Sequence, residues 1–217
     1  MPYDSSEEVT REVAAAQWQL ERDGFVAKVR SDPTSSPELR QLATYLEALS
    51  YGEFATRYLS DVDTARIAEY GGLDDIFSVG HVGIIDVVGG VPYVIEAVWG
   101  GIKKVQRISY DDWLKARPSS WVWVARPVAM SDKQRSSFVE EARSFVGRPY
   151  DFWNFDLSDD SAFYCSKLVW LAYRRAVGHS IDGHAPTRSF WFSPKQLWSL
   201  HRSGILQNVN VPRQYSY

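Results

Sequence analysis

Apolar residues recur at three- and four-residue steps in the first 70 residues, a spacing that predicts helices. We expect the first of these helices to be interrupted at Gly24 and again by the turn residues at 32–37. A second helix is predicted over 37–50 and a third over 52–69. The region 1–70 is therefore interpreted as a helical extension, which serves either as a packing appendage or as a surface for an adaptor or delivery partner.

From residue 73 the pattern changes to runs of branched apolar residues, which predicts strands. The predicted strands cover residues 81–88, 91–98, 102–108 and 121–126. Gly89 and Gly90 between the first two runs indicate a hairpin turn. Residues 110–116 are expected to form a short helical turn.

Helical spacing returns in the last third of the chain. Ser131 is expected to cap a helix that ends at Gly147, and another helix begins at Cys165 and ends near Gly178. A final helix opens at Pro194. Helices, then strands, then helices predict an α+β fold with an antiparallel sheet, divided into domains at 1–70 and 71–217.

Composition and charge narrow the class of partner. The 217 residues are 45% hydrophobic and 24% charged, as in an ordinary folded protein. A net charge of −3 gives no excess of basic residues for binding nucleic acid, so we expect no nucleic-acid partner. The absence of an 18-residue apolar run predicts no stable membrane insertion. The acidic start, MPYDSSEEVTREV, lacks the apolar core of a signal peptide, which predicts a chain made in the cytoplasm.

The single cysteine, Cys165, lies where a polar segment gives way to an apolar helical pattern. A thiol in the first turn of a helix is close to unpaired backbone N–H groups, which lower its pKa and favour the thiolate. A buried structural cysteine is the alternative. A catalytic cysteine requires a histidine elsewhere in the chain, so the histidines decide between the two.

Among the four histidines, His81 differs because it directly precedes an apolar strand. Glu96 is equally unusual as a carboxylate inside the strand VPYVIEAV, where it could orient an imidazole on the neighbouring strand. A core histidine and an exposed strand glutamate are the alternatives. A metal site is less favoured, because His179 and His184 lack the spacing of a helical zinc motif. We therefore expect no metal and no cofactor.

The segments DDIFSVGHVGII, YVIEAVWGGIKK, ARSFVGRPYDFWNFDL, FYCSKLVWLAY and FSPKQLW together resemble the circularly permuted NlpC/P60 hydrolases, YiiX-like branch. The resemblance implies a papain-like half-barrel with Cys165 as nucleophile, His81 as general base and acid, and Glu96 as orienting carboxylate. It also implies Tyr150 as a cleft wall or oxyanion residue. Lys167 departs from the pattern, since this branch often carries glutamate two residues after the cysteine.

These features predict a cysteine hydrolase or transferase that acts on an amide through a thioester. The resemblance implies bacterial cell-wall peptide as substrate, and the loop after the cysteine helix offers Arg188 and Trp191 for binding it. Without a signal peptide, action on cell wall requires another secretion machinery, which suggests an antibacterial effector with an immunity protein. A lipid acyl-hydrolase or acyltransferase and a catalytically silent binding module are the alternatives.

Overall fold

The structure is a computed structural model that describes residues 11–54, 80–117, 121–183, 192, 194–209 and 213–214. The chain divides into two units, Met1–Ser78 and Val79–Tyr217, which are described separately below. The division falls within the segment 55–79, outside the described residues, so the boundary expected at residue 70 stays a prediction.

The described part of the first unit, residues 11–54, contains three helices: α1 (Arg11–Ser31), α2 (Pro37–Glu47) and α3 (Tyr51–Phe54). Ser36 caps α2, because its hydroxyl accepts the backbone N–H of Leu39 at 3.2 Å. Trp18 of α1 is buried, and its ring lies 5.0 Å from that of Phe54. The predicted second helix is therefore present, while most of the third lies outside the described residues.

The predicted interruption at Gly24 is wrong, because α1 continues through this residue to Ser31. A glycine inside a helix costs about 1 kcal/mol relative to alanine. Phe25, Val26 and Val29 are buried directly after it. Their burial outweighs the cost, since one fully buried side chain of this kind contributes roughly 1.5–3 kcal/mol.

The second unit is built on an antiparallel sheet of β1 (Ile84–Val88), β2 (Val91–Val98) and β3 (Lys104–Ser109), in that order. Gly89 and Gly90 turn between β1 and β2 with φ values of 58° and 82°, which residues with a Cβ adopt poorly. The hairpin and the antiparallel sheet are thus as predicted. The first strand is shorter than predicted, because the segment from His81 to Gly83 precedes the ladder.

The remaining elements within the described residues are α4 (Tyr110–Lys115), β4 (Trp121–Val122), β5 (Ala125–Pro127), α5 (Asp132–Ser144), α6 (Cys165–Val177), α7 (Pro194–Ser199), β6 (Leu206–Asn208) and β7 (Arg213–Gln214). The single strand predicted over 121–126 is two strands, because β4 pairs with β7 while β5 pairs with β6. Both of their partners lie near the end of the chain. A local pattern cannot show that one apolar run has two partners.

Helix α6 is the central helix of this unit and packs against α5 and β2. Its first nine residues, Cys165–Tyr173, are all buried, and Gly178 ends it in a left-handed conformation with φ of 90°. Helix α5 begins with a capping box formed by Ser131 and Gln134. The predicted helices of this region are present, and the fold is the expected α+β type.

A buried carboxylate, Asp86 on β1, ties the sheet to α5. It is fully buried and accepts hydrogen bonds from Arg107 on β3 at 2.7 Å and from two nitrogens of Arg143 on α5. The pKa of Asp86 is lowered, mainly by the bond from Arg143. This ion pair fixes the position of α5, the main neighbour of α6, on the sheet.

None of the described helices is long and apolar enough to cross a membrane.

Candidate active site

Cys165 is the first residue of α6, and its side chain is only 9% exposed. The chain that leads to it is held by the segment 149–151. The N–H of Phe163 donates to the carbonyl of Pro149 at 2.9 Å, and the N–H of Asp151 donates to the carbonyl of Phe163 at 3.1 Å. These bonds fix the backbone two residues before the thiol.

His81 lies just before β1, half-buried, and contacts both of the other predicted site residues. Its Nε2 is 2.6 Å from Oε2 of Glu96, and the ring and the thiol of Cys165 are close enough to shift each other's pKa. Because Nε2 faces the carboxylate, the Nδ1 atom is the one available to the sulfur. The structure therefore places the predicted cysteine, histidine and glutamate next to one another.

Glu96 is fully buried in β2 and has three partners besides the histidine. Gln106, directly opposite on β3, donates to Oε1 at 2.8 Å. The indole N–H of Trp113 and Nη2 of Arg117 each donate to Oε2 at 2.7 Å. Arg117 also stacks on Trp113 at 4.4 Å and donates to its carbonyl. The carboxylate is thus held at both oxygens.

The sequence analysis did not find Gln106, Trp113 and Arg117 as site residues. Trp113 and Arg117 are four residues apart, a spacing that pairs side chains at a helix end. That spacing indicates that Trp113 and Arg117 contact each other. Their contact with Glu96 could not be predicted in this way, because it depends on how the chain at the end of α4 packs back against the sheet.

The arrangement separates the pKa values of the three groups. Burial raises the pKa of Glu96, but His81, Arg117 and Gln106 outweigh it and lower that pKa to about 2. Burial lowers the pKa of His81, and the bonds to Cys165 and Glu96 overcome this and raise it to about 9. Burial raises the pKa of Cys165, but His81 and the backbone N–H groups of Val82 and Ser166 together outweigh it and lower that pKa. The arrangement therefore favours transfer of the thiol proton to the imidazole.

Two backbone N–H groups near the sulfur of Cys165, those of Val82 and Ser166, also lower the thiol pKa. The Ser166 amide belongs to the first turn of α6, where Tyr164 at the N-cap provides no side-chain capping bond. The helix start therefore offers its N–H groups to negative charge, as predicted for a thiol in this position. Val82 was not predicted, because it comes from the segment before β1.

Tyr150 lies half-buried beside the strand that leads to Cys165. It forms a parallel bridge with Phe163, and its ring packs edge-on against Trp99 at 5.6 Å. This places it next to the chain entering the site, so its role as a wall or oxyanion residue stays a prediction.

Arg188 and Trp191, predicted to bind substrate, lie outside the described residues. The next residue along, Phe192, is described and buried. Its N–H donates to the hydroxyl of Tyr164 at 3.1 Å, and its carbonyl accepts from the Ser166 hydroxyl. The end of this loop is therefore attached to the residues on either side of Cys165.

Lys167 is fully buried, and its ammonium group donates to the carbonyl of Asn154 at 3.1 Å. Burial lowers its pKa to about 8, while Asp159 is foremost among four carboxylates that oppose this shift. The ammonium group of Lys167, where this branch often carries glutamate, therefore points into the loop that precedes Cys165. The carboxylates of that loop partly balance its charge.

Within the described ranges, no three or more His, Cys, Asp and Glu side chains form a group that could hold a metal ion. Of the histidine pair considered for a metal, His184 lies outside these ranges. The ring of His179 contacts the carbonyl of Ser180 at 3.1 Å.

Residues 66–208 match a family described as permuted papain-like amidase enzymes, YaeF/YiiX, C92 family. The chain belongs to this family. The resemblance to the permuted YiiX-like branch is thereby confirmed, and the family is one of amidases. The uncharacterized protein YiiX of Escherichia coli K12 is 32% identical over 131 residues, which are 59% of this chain and 61% of the relative. The chain thus matches less than two thirds of the length of that curated relative.

A solved structure is also similar, titled the crystal structure of metalloprotein yiiX from Escherichia coli O157:H7. It is 22% identical with a TM-score of 0.48, and the match covers 64% of this chain and 84% of that one.

Proposed function

We propose that this member of the amidase family hydrolyses amide bonds in the stem peptides of bacterial cell wall, using Cys165, His81 and Glu96. One observation carries the proposal: His81 lies 2.6 Å from a buried carboxylate, and the thiol at the start of α6 raises the pKa of the same imidazole. This is the nucleophile–base–orienter arrangement of cysteine acyl transfer.

The thiolate of Cys165 attacks the carbonyl carbon of the amide, and a carbon–sulfur bond forms as the carbonyl π electrons move to oxygen. Backbone N–H groups in the first turn of α6 stabilise this oxyanion, and the loss of one such donor costs roughly 3–4 kcal/mol. The imidazolium of His81 then gives its proton to the amine as the carbon–nitrogen bond breaks. The products of this half are the free amine and a thioester.

Water completes the reaction. His81, now neutral, removes a proton from water, which attacks the thioester carbonyl and releases the carboxylic acid and the thiolate. Glu96 stays ionised throughout, because four donors hold it and its pKa is about 2. Its contribution is to orient the ring of His81 and to stabilise the imidazolium.

Cell-wall peptide is the proposed substrate because the chain resembles the NlpC/P60 hydrolases and belongs to an amidase family. Delivery by a secretion machinery and an immunity partner stay predictions that depend on this substrate.

The test incubates the purified protein with peptidoglycan fragments and, separately, with phospholipid vesicles, and identifies products by mass. The expected result is cleavage of stem peptides by the wild type and none by Cys165→Ala. Release of fatty acid with stem peptides left intact would instead support the lipid acyl-hydrolase. An absence of turnover on both substrates would favour the silent binding module.

A further inference from the structure

Three side chains that the proposed reaction does not use form a cluster: Trp99 after β2, Lys103 before β3, and Tyr150. The ammonium nitrogen of Lys103 lies 4.3 Å from the centre of the Trp99 ring. The Trp99 and Tyr150 rings meet edge-on at 5.6 Å, and the N–H of Tyr150 donates to the Lys103 carbonyl at 2.8 Å. Ring packing, a cation–π contact and a backbone bond therefore hold the cluster together.

The strand register places this cluster at the same end of the β1–β2 hairpin as His81. Ile84 pairs with Ile95, so the chain before β1 and the chain after β2 leave the sheet at the same end. His81 belongs to the first of these segments and Trp99 to the second. The cluster therefore lies on the histidine side of the site.

Tyr150 connects the cluster to the other side of the site as well. It is bridged to Phe163, two residues before Cys165, a separation that spans at most about 8 Å between Cα atoms. The backbone of the cluster is thus joined to the segment that leads to Cys165 and leaves the sheet at the same end as the segment that carries His81.

Lys103 has a backbone φ of 42°, the one positive value among the described residues other than glycine. Residues with a Cβ rarely adopt this conformation, and such exceptions concentrate at functional sites. The side chain is exposed, and the exposed Lys104 and Arg148 lie next to it, joined through the bridge of Lys104 to Pro149. This edge of an otherwise acidic protein therefore carries a local excess of positive charge.

Carboxylates of this region are engaged elsewhere. Asp151 accepts the N–H of Trp153 at 2.8 Å, and Asp160 is paired with Arg175 at 2.9 Å. Among the residues that the structure describes, Lys103 is held by an aromatic face and forms no ion pair with a carboxylate, an arrangement that leaves its ammonium group able to bind a ligand anion.

We propose that Trp99, Lys103 and Tyr150 form a substrate subsite that binds a carboxylate group of an acidic peptide next to the scissile amide. The ammonium group of Lys103 pairs with the carboxylate, and the two rings support the aliphatic carbons that carry it. This inference rests on the proposed function, since it takes Cys165 as the reacting group.

The test uses the protein's one cysteine as a reporter that needs no turnover. Wild type, Lys103→Met and the control Lys133→Met, an exposed lysine on α5, are alkylated with a bromoacetyl-dipeptide bearing a free carboxylate and with its carboxamide form. We expect wild type to react faster with the carboxylate probe. Lys103→Met should lose this preference, with a decrease of about 10-fold in the carboxylate rate, as the loss of one charged hydrogen bond predicts.

Lys133→Met has the same change in net charge and should keep the wild-type preference. Equal rates of wild type with the two probes, or an equal effect of both lysine substitutions, would overturn the subsite. A thiol that reacts with neither probe would overturn the subsite and the proposed function together. If the preference is present but no amide substrate is turned over, the subsite stands and the proposed function fails.

Discussion

At the scale of single residues, the site depends on the neighbours of a buried thiol. Cys165 is almost fully buried, yet His81 and two backbone N–H groups lower its pKa. A buried thiol without such neighbours would have a raised pKa and little reactivity. The reactivity therefore belongs to the group of contacts and not to the cysteine alone.

Replacement of Cys165 by alanine should abolish turnover and change the free energy of unfolding by no more than about 1–2 kcal/mol, since a small group is removed. Turnover by the purified variant and its denaturant unfolding curve check both parts. Retained activity would exclude the cysteine mechanism, and loss of the fold would indicate a structural cysteine. Wild-type thiol should react with iodoacetamide below pH 8 faster than a free thiol does.

Lys167 gives a second test at this scale, through the pH dependence of stability. Its folded pKa of about 8 is below its ordinary value of 10.5, so between these pH values the unfolded chain binds the extra proton. Stability must therefore rise with pH across this window. We expect the free energy of unfolding to rise more in wild type than in Lys167→Met between pH 8 and 10, by up to about 3 kcal/mol.

Urea unfolding of the two proteins at several pH values measures this difference. Lys133→Met is the control. It removes an exposed lysine from α5, so the unfolding free energy of this variant should follow the wild-type curve at every pH. Parallel curves for wild type and Lys167→Met would mean that the buried lysine keeps its ordinary pKa.

At the scale of elements, β2 and α6 carry the site, and their positions follow from local pattern. The run Val91–Val98 is a strand as predicted, and Cys165 begins a helix where polar residues give way to apolar ones. Both elements show strong periodicity, and turn or cap residues limit them. Glu96 was noticed because a carboxylate is unexpected in such a strand.

What local pattern could not predict depends on contacts between distant segments. Gln106 and Arg117 reach Glu96 only through the register of β3 and the return of α4. Gly24 lies inside a helix because packing from a different part of the chain overrides its weak propensity. Predicted site residues could thus be named one by one, while the partners that fix their geometry required the fold.

Gly83, between His81 and β1, shows how closely these elements approach. A Cβ built at this residue would lie 2.6 Å from a methyl carbon of Val94 and 3.2 Å from the carbonyl oxygen of Ile95. We expect Gly83→Ala to destabilise the protein by about 1–3 kcal/mol and to lower activity, because the segment that carries His81 must shift.

Gly24→Ala is the matched control for this prediction. It lies in a helix where, apart from the backbone of the same helix turns and the adjacent residues, no atom is within 4 Å of the added Cβ, and alanine there should stabilise the protein by about 0.5–1 kcal/mol without affecting activity. Thermal unfolding and turnover of both variants test the contrast. A Gly83→Ala protein with wild-type stability and rate would show that the approach is not tight.

At the scale of the whole molecule, the thiol and the imidazole contribute opposite slopes to the pH dependence of stability. The pKa of His81 is raised from 6.5 to about 9, so its contribution to stability is lost as the pH rises through this window. The pKa of Cys165 is lowered from 9.0, so its contribution to stability is lost as the pH falls below the ordinary pKa of the thiol. The two contributions therefore oppose each other within the pair.

We expect kcat/KM to fall above about pH 9, where His81 loses the proton that the leaving amine requires. Glu96→Gln should lower kcat and move this decline to lower pH, because the carboxylate is one of the groups that raise the His81 pKa. A pH series of initial rates measures both declines. Gln106→Leu is the milder control, since Glu96 keeps its charge and its bond to His81. An alkaline decline that stays at the same pH in Glu96→Gln would mean that the carboxylate does not hold the imidazolium, and would leave Cys165 and His81 as a dyad.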